Sequence, residues 1–228
     1  MKHQGRWIAG IAAVAFVAAL PSALVIVDEG ELSAQQQSEA FDPVVYVDDI
    51  WESSLLPTID DEAQELATVL DAIEVDAGGN GDKAQLVQVT EEYGTITVGE
   101  AHVYLVRGTG TVTEVSDRGF ATIALDGYDG PTDVVIYAGT RIPSDETSVR
   151  DGVGSIDFGD FKTQTEYGQV ASEINKRIVR DVLNPLADTD LTGRQISFMG
   201  ALAIRTFNLV QIDLSSIRIV PVRIEMAG

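Results

Sequence analysis

The chain has 228 residues, 45% of them hydrophobic, and a formal net charge of −21 at pH 7. This apolar content excludes a disordered chain, and the length suits one domain with a substantial core. The acidic balance disfavours partners such as nucleic acid, whose binding depends on Lys and Arg. The chain has no cysteine and two histidines, His3 and His102. These counts exclude disulfides, a lipidated Cys, thiolate metal sites and sites of several histidines, so we expect no cofactor.

The N-terminal segment has the character of a membrane span. Basic residues precede an apolar run from Trp7 to Val27, and about 20 apolar residues cross a bilayer as a helix. A secretory signal has a shorter apolar region of about 7–15 residues. The charges on either side predict that the N-terminus lies inside and the body outside. We expect residues 1–27 to hold a single-pass inner-membrane anchor with the body in the periplasm. Secretion to the periplasm after signal cleavage is the alternative.

Residues 28–40 read as a polar linker, and residues 41–83 as a helical extension. Asp42-Pro43 predicts a helix start, and Pro57 predicts its end. A second helix follows with four apolar residues at helical spacing, namely Leu66, Val69, Leu70 and Ile73. Residues 75–83 are predicted to be a loop.

From about residue 95 the apolar pattern alternates with period two, which predicts strands. The expected elements are strands at 102–115, 119–127 and 132–139, a helix at 160–186, and strands at 194–204 and 216–226. Gly108 and Gly110 in the first strand indicate a bulge or a sharp bend. Three strands, a helix and two strands is the order of an OB-fold. We predict a mainly β, α+β domain over residues 84–228, a five-stranded OB-like barrel, with a short β-sandwich as the alternative.

Five stretches resemble, in chain order, the DUF2291 family: "FDPVVYVDDIWESSLLP", "VRGTGTVTEV", "RDGVGSIDFGDFKTQTEYGQVASEIN", "LTGRQISFMGA" and "IRIVPVRIE". The first stretch and the F-x-x-Q/T-x-x-Y helix start are the most specific. The resemblance covers about residues 41–228 and implies an OB-like periplasmic lipoprotein, often encoded beside sugar ABC-transporter components. It therefore implies an accessory role in uptake, with a permease or a solute-binding protein as partner. Many members carry a lipidated Cys, which this chain lacks, so a transmembrane anchor would substitute for it.

The segment "TSVRDGVGSIDFGDF" carries the candidate ligand site. An Arg beside carboxylates can hold a ligand carboxylate or hydroxyl groups through its planar fork, and it can equally form a structural ion pair. The polar groups expected around a pocket here are Arg150, Asp151, Gln164, Tyr167 and Asn175.

The segment "ALDGYDGPTD" is a weak candidate for a calcium site, because Asp126, Asp129 and Asp133 share one turn. The spacing differs from that of an EF-hand, and Asp-Gly is ordinary hairpin chemistry. We therefore expect a turn without a metal.

No G-x-S-x-G elbow and no P-loop occurs in the chain. We therefore predict a membrane-anchored periplasmic accessory or binding protein, not an enzyme, whose ligand is unknown. One alternative is an envelope hydrolase with two carboxylates about 5–10 Å apart. Another is an oligonucleotide-binding OB module, which the net charge disfavours unless five basic residues form a patch: Arg107, Arg118, Lys176, Arg177 and Arg180.

The intact mass of the protein purified from its native membrane tests the anchor. We expect the mass of the uncleaved 24.4 kDa chain, because the apolar run is long enough to stay in the bilayer. A mass that corresponds to cleavage after Ala23 or Ala34 would identify a secretory signal instead.

Overall fold

Residues 41–226 are described in a computed structural model of the chain and belong to one unit that begins at Phe41. The predicted anchor at residues 7–27 and the predicted linker at 28–40 lie outside the described residues. Of the helices in the described part, none is both long and apolar enough to span a bilayer.

The first helix, α1 (Pro43–Ile50), begins as predicted. The Asp42 side chain accepts hydrogen bonds from the backbone of the first turn, and proline occupies the next position. The predicted helix end at Pro57 is wrong. The chain stays helical through a π-helical turn (Trp51–Leu55) into α2 (Leu56–Glu62). Pro57 lies in the first turn of α2. Proline has no backbone N–H to donate, and the wider π-helical turn before it lets the helix continue without that hydrogen bond.

The second predicted helix is divided. Its four apolar residues are buried in α3 (Leu66–Ala72) and just after it, but the chain is extended before α3 at β1 (Gln64–Glu65). The predicted loop contains a short strand, β2 (Asn80–Asp82), and helix α4 (Lys83–Tyr93) follows it without having been predicted. Helix α3 precedes the predicted boundary between the helical extension and the barrel domain at residues 83 and 84, and α4 runs across it. Both helices share one hydrophobic cluster with the sheet.

All five predicted strands are present, with four short additions, of which β1 and β2 are given above. The remaining strands are β3 (Thr95–Ile96), β4 (Ala101–Ser116), β5 (Phe120–Leu125), β6 (Asp133–Tyr137), β7 (Gln195–Arg205), β8 (Gln211–Asp213) and β9 (Ser216–Met226). Along the sheet the long strands pair in the order β4–β5–β6–β9–β7, and β7 also pairs with β4. Only the β6–β9 pairing among these is parallel. The mixed α+β class and the predicted strand order are confirmed. The five predicted strands lie in one seven-stranded sheet and not in the two sheets of the alternative sandwich, while β2 and β8 form a separate two-stranded sheet.

Strand β4 changes partner at Gly110. It pairs with β7 from Ala101 to Thr111 and with β5 from Gly110 to Ser116. A Cβ atom on Gly110 would lie 2.4 Å from the carbonyl oxygen of Ala124, so the close approach of β5 requires glycine. The β4–β5 register also shifts just beyond this point, as the prediction of a bulge required.

The predicted helix over 160–186 begins later and ends differently. After α5 (Ser148–Gly152) and a 3-10 turn (Phe158–Asp160), helix α6 runs from Gln164 to Ile178. It begins there because Thr163 and Glu166 form a capping box, in which each side chain accepts from the other's backbone N–H. A π-helical turn (Val179–Leu183) and a second 3-10 turn (Asn184–Leu186) complete the segment.

His102 is buried on β4 within a chain of hydrogen bonds. Its Nδ1 lies 2.7 Å from Thr90 Oγ1, and its Nε2 lies 3.2 Å from Thr206 Oγ1. The Thr206 hydroxyl also donates to the carbonyl of Glu100 at 2.9 Å, and the Thr90 hydroxyl lies 2.7 Å from the carbonyl of Leu86. Burial holds the pKa of His102 below its ordinary value of 6.5, and the charge of the nearby Lys83 ammonium lowers this pKa further. The side chain is therefore a neutral structural group at pH 7.

Acidification should destabilise the protein through His102. The folded state binds the proton less readily than the unfolded chain, so this contribution is complete above pH 6.5 and is lost as the pH falls below it. The measurement is the free energy of unfolding in urea at about pH 7.5 and about pH 5.5 for the protein and for His102→Gln. We expect a larger fall in the unsubstituted protein, and equal falls would contradict this account.

Candidate functional site

Helix α5 places two of the candidate residues. Val149 is buried in the cluster that contains Leu105 of β4. A Cβ atom on Gly152 would lie 2.7 Å from a methyl carbon of Leu105, so the helix approaches the sheet closely because this residue is glycine. The side chains of Arg150 and Asp151 then lie along one wall of a cavity.

Arg150 is only 7% exposed, and its charge is compensated locally. Its Nε and Nη2 atoms donate to Asp151 Oδ1 at 2.8 and 2.6 Å, and Nη1 donates to the carbonyl of Tyr167 at 3.1 Å. The guanidinium carbon also lies 3.6 Å from the centroid of the Tyr167 ring. Ion pairing, a backbone hydrogen bond and stacking together fix the orientation of the guanidinium.

Tyr167 reaches this pair from the first turns of α6. Its hydroxyl donates to Asp151 Oδ1 at 3.4 Å. Burial raises the pKa of Tyr167 above its ordinary value, while the charge of Arg150 opposes that shift. The phenol is therefore protonated at neutral pH and remains a hydrogen-bond donor.

The cavity beside this group has a volume of about 850 Å³. Its walls come from residues 95–99 before β4, from α5 and the segment that follows it, and from the start of α6. Arg205, at the end of β7, completes it. The volume falls in the range of about 300–1,000 Å³ that is usual for small-molecule sites. A smaller cavity of about 200 Å³ lies beside Arg107 and Arg223.

Four of the five predicted ligand residues line the large cavity, namely Arg150, Asp151, Gln164 and Tyr167. Asn175 lies elsewhere, which corrects its placement in the predicted group. Its buried side-chain amide donates to the carbonyls of Pro143 at 3.0 Å and Glu146 at 2.8 Å, and it thereby holds the loop before α5. Ligand binding by the other four residues stays a prediction.

Sequence reasoning missed the wall formed by residues 95–99, the ring of Phe158 and the guanidinium of Arg205. The alternation in "TITVG" could have indicated a short strand and a turn. Nothing in the local sequence places this turn near Arg150. The pairing of Ala101 with Arg205 brings residues 95–99 close to Arg205, and the packing of α5 on β4 brings Arg150 to the same place.

The weak calcium candidate is not assembled. Asp126, Asp129 and Asp133 are all exposed, and Asp126 accepts a hydrogen bond from Gln195 at 3.1 Å. Residues 41–226 contain no group of three or more His, Cys, Asp or Glu side chains placed to hold a metal ion. The segment forms the connection between β5 and β6.

The basic residues considered for oligonucleotide binding are mostly engaged with other groups. Arg107 donates to backbone carbonyls of Asp60 and Ala63. The others pair with carboxylates, as Lys176 with Glu173, Arg177 with Asp48, and Arg180 with Asp181. Arg118 lies in the exposed turn between β4 and β5. These ion pairs lower the local positive charge that contact with a phosphate backbone would need.

Comparison with known proteins adds a family and a fold. The sequence pattern of the family described as "Predicted periplasmic lipoprotein (DUF2291)" matches residues 13–225. No curated protein sequence matches the chain. The crystal structure of an OB-fold protein from Thermotoga maritima is similar, with a TM-score of 0.62 and 15% identity. The similarity covers 82% of this chain and 99% of that chain, and at this identity it shows the fold alone.

The two stretches with the most specific family resemblance contact each other beside the cavity. Phe41 and Tyr46, from the first stretch, each lie 5.4 Å from Phe161, measured between ring centroids. Phe161 in turn lies 5.5 Å from Tyr167. This aromatic cluster joins the first residues of the described body to the side chain that stacks on Arg150.

Removing either member of the Arg150–Asp151 pair should lower the free energy of unfolding by about 3 kcal/mol, because the remaining charge is left without its partner. Removing both should cost less than the sum of the single changes. Urea unfolding of Arg150→Ala, Asp151→Ala and the double variant measures this difference.

The matched control is Arg180–Asp181, which is also an adjacent Arg–Asp pair but has exposed side chains. Its coupling should be below about 1 kcal/mol. Equal coupling energies in the two pairs would contradict a special role for the buried pair.

Proposed function

Because the chain belongs to the DUF2291 family of predicted periplasmic lipoproteins, we propose that it is a membrane-anchored periplasmic binding protein that assists a solute transporter. The observation that carries the proposal is one cavity of about 850 Å³ with exposed apolar loops beside it. Family membership supports the periplasmic location. The ligand, the partner and the absence of catalysis belong to the proposal.

The arrangement in the cavity favours binding over catalysis. Asp151 Oδ1 accepts hydrogen bonds from Arg150 and from the Tyr167 hydroxyl, which hold the carboxylate in a fixed orientation on the cavity wall. The family description names no activity. A rigid set of donors and acceptors with apolar walls is the usual composition of a ligand site.

Exposed apolar side chains at two neighbouring loops favour a protein partner. We name them the apolar tips: Val98, Phe207, Leu209 and Val210. Val98 is fully exposed, and Phe207 and Val210 are 65% and 80% exposed. The loops are joined, because the backbone N–H of Thr206 donates to the carbonyl of Glu100. Adjacent exposed apolar side chains on a soluble body commonly mark an interaction surface.

The backbone at both tips is constrained. Glu100 and Asn208 have φ values of 54° and 59°, in the left-handed region that residues other than glycine rarely adopt. Glu100 is held by an ion pair with Lys83 at 2.7 Å. Such strain persists where the surrounding structure fixes it, and it is frequent at functional loops.

The proposal includes the N-terminal anchor and an OB-like barrel. The chain has no cysteine, so a lipid cannot be attached to a Cys side chain, and the apolar run at residues 7–27 would serve instead. The cyclic pairing of β4, β5, β6, β9 and β7 supports a barrel. The transporter is proposed to be a sugar ABC transporter, and this rests on the family resemblance alone.

The partner is tested by affinity capture of the full-length protein from its native membrane in mild detergent, followed by mass spectrometry. We expect an ABC-transporter permease or a solute-binding protein in the eluate. The double variant Phe207→Ser/Val210→Ser should reduce its recovery by about tenfold, since exposed apolar anchors dominate such contacts.

The control variant is Val115→Ser, which removes an exposed apolar side chain near the other end of β4. Recovery should be unchanged by this substitution. An eluate without a transporter subunit, or an equal loss in both variants, would refute the partner proposal.

A further inference from the structure

The large cavity is electrically balanced, although the chain as a whole carries −21. Its charged side chains are two guanidiniums and two carboxylates, namely Arg150, Arg205, Asp151 and Asp157. The formal charges cancel. A site for an anion or a cation normally presents a surplus of the opposite charge, and this cavity presents none.

The most buried of these charges is already neutralised. Asp151 accepts two hydrogen bonds from Arg150, and the ring of Tyr167 covers one face of the guanidinium. A ligand carboxylate would have to compete with Asp151 for this fork, at close range to a like charge. The geometry therefore disfavours an acidic ligand at Arg150.

The polar groups that remain are a mixture of donors and acceptors. Three of the five N–H groups of Arg150 are used within residues 41–226, which leaves two. In the same part of the chain, Asp151 Oδ2 and the Gln164 amide make no hydrogen bond to other side chains or to the backbone, and the Tyr167 oxygen can still accept. A hydroxyl group, which both donates and accepts, matches such a mixture.

Apolar surface completes the cavity. The ring of Phe158 is 53% exposed while it lines the cavity, and it meets the ring of Tyr167 edge to face with centroids 5.5 Å apart. Ile96 and Ile156 lie on the same walls. An open aromatic face packs well against the C–H face of a saturated ring.

We infer that the cavity binds a neutral polyhydroxylated molecule of the size of one or two saturated rings. The inference rests on the proposed function only in assuming that the cavity is a binding site. Its argument is the charge balance, the mixed donors and acceptors, and the exposed ring of Phe158.

The test uses probes that share a carbon skeleton and differ in charge. The full-length protein is titrated calorimetrically with D-glucose and D-galactose, and with their charged counterparts D-glucuronate, D-glucosamine and D-galacturonate. The detergent is an amine oxide, because glucoside and maltoside detergents carry neutral polyols as head groups. We expect at least one neutral probe to bind, at least about tenfold more tightly than its charged counterparts.

A variant pair shows whether the cavity itself sets this preference. Asp157→Asn removes one negative charge from the cavity and keeps a side chain that can accept from the backbone of Gly159. It should improve binding of the uronate relative to the neutral sugar by about tenfold. Asp160→Asn changes the net charge equally but lies outside the cavity lining, and it should leave the ratio unchanged.

Two results would overturn the inference. One is a uronate or the amino sugar that binds as tightly as its neutral counterpart, and the other is no binding by any probe. Binding of a charged probe would contradict this inference but would still support the proposed binding function. Failure to recover a transporter subunit in the affinity capture would contradict the proposed partner and would not bear on the class of ligand. An equal shift in both variants would also overturn it, because the preference would then reflect the surface charge and not the cavity.

Discussion

The pairing of β4 with two different neighbours is the constraint on which the rest of the structure depends. The strand is hydrogen-bonded to β7 along its first part and to β5 along its last part, and the exchange occurs at Gly110. A side chain at that position would meet the backbone of β5, so the sheet can form this crossing only around glycine. The same strand also receives α5 on its Leu105 side and begins next to the turn that walls the cavity. Any shift of its register would therefore move the sheet and the site together.

Charge compensation gives the cavity its chemical character. Arg150 and Asp151 are consecutive residues, but their pairing becomes rigid only when α6 places Tyr167 over the guanidinium. The acidic residues that dominate the chain are mostly exposed, so the strong negative charge of the surface does not extend into this group. Recognition of the proposed ligand would therefore depend on the direction of hydrogen bonds and on apolar contact, which discriminate by shape more than by charge.

The cavity and the apolar tips share the segment before β4, which links the proposed ligand site to the proposed partner surface. The segment before β4 contributes Val98 to both, and the neighbouring loop after β7 is joined to it through Thr206 and Glu100. A ligand held against residues 95–99 would therefore touch the same loop that a partner would contact. A membrane anchor would raise the effective concentration of the body near a membrane protein, so even a weak contact at the tips would be populated.

The sequence by itself determined the family, the order of the five long strands and the start of α1, because these depend on local periodicity and capping residues. It also grouped Arg150 with Tyr167, since both lie in the segment that enters α6. It could not show that the helix continues past Pro57, because a π-helical turn leaves no distinct pattern. Asn175 follows Gln164 by three helical turns on the same face, but about 16 Å further along the axis, beyond the end of the cavity. Only the tertiary structure brought residues 95–99 and Arg205 to the site, because strand register joins residues that no local pattern connects.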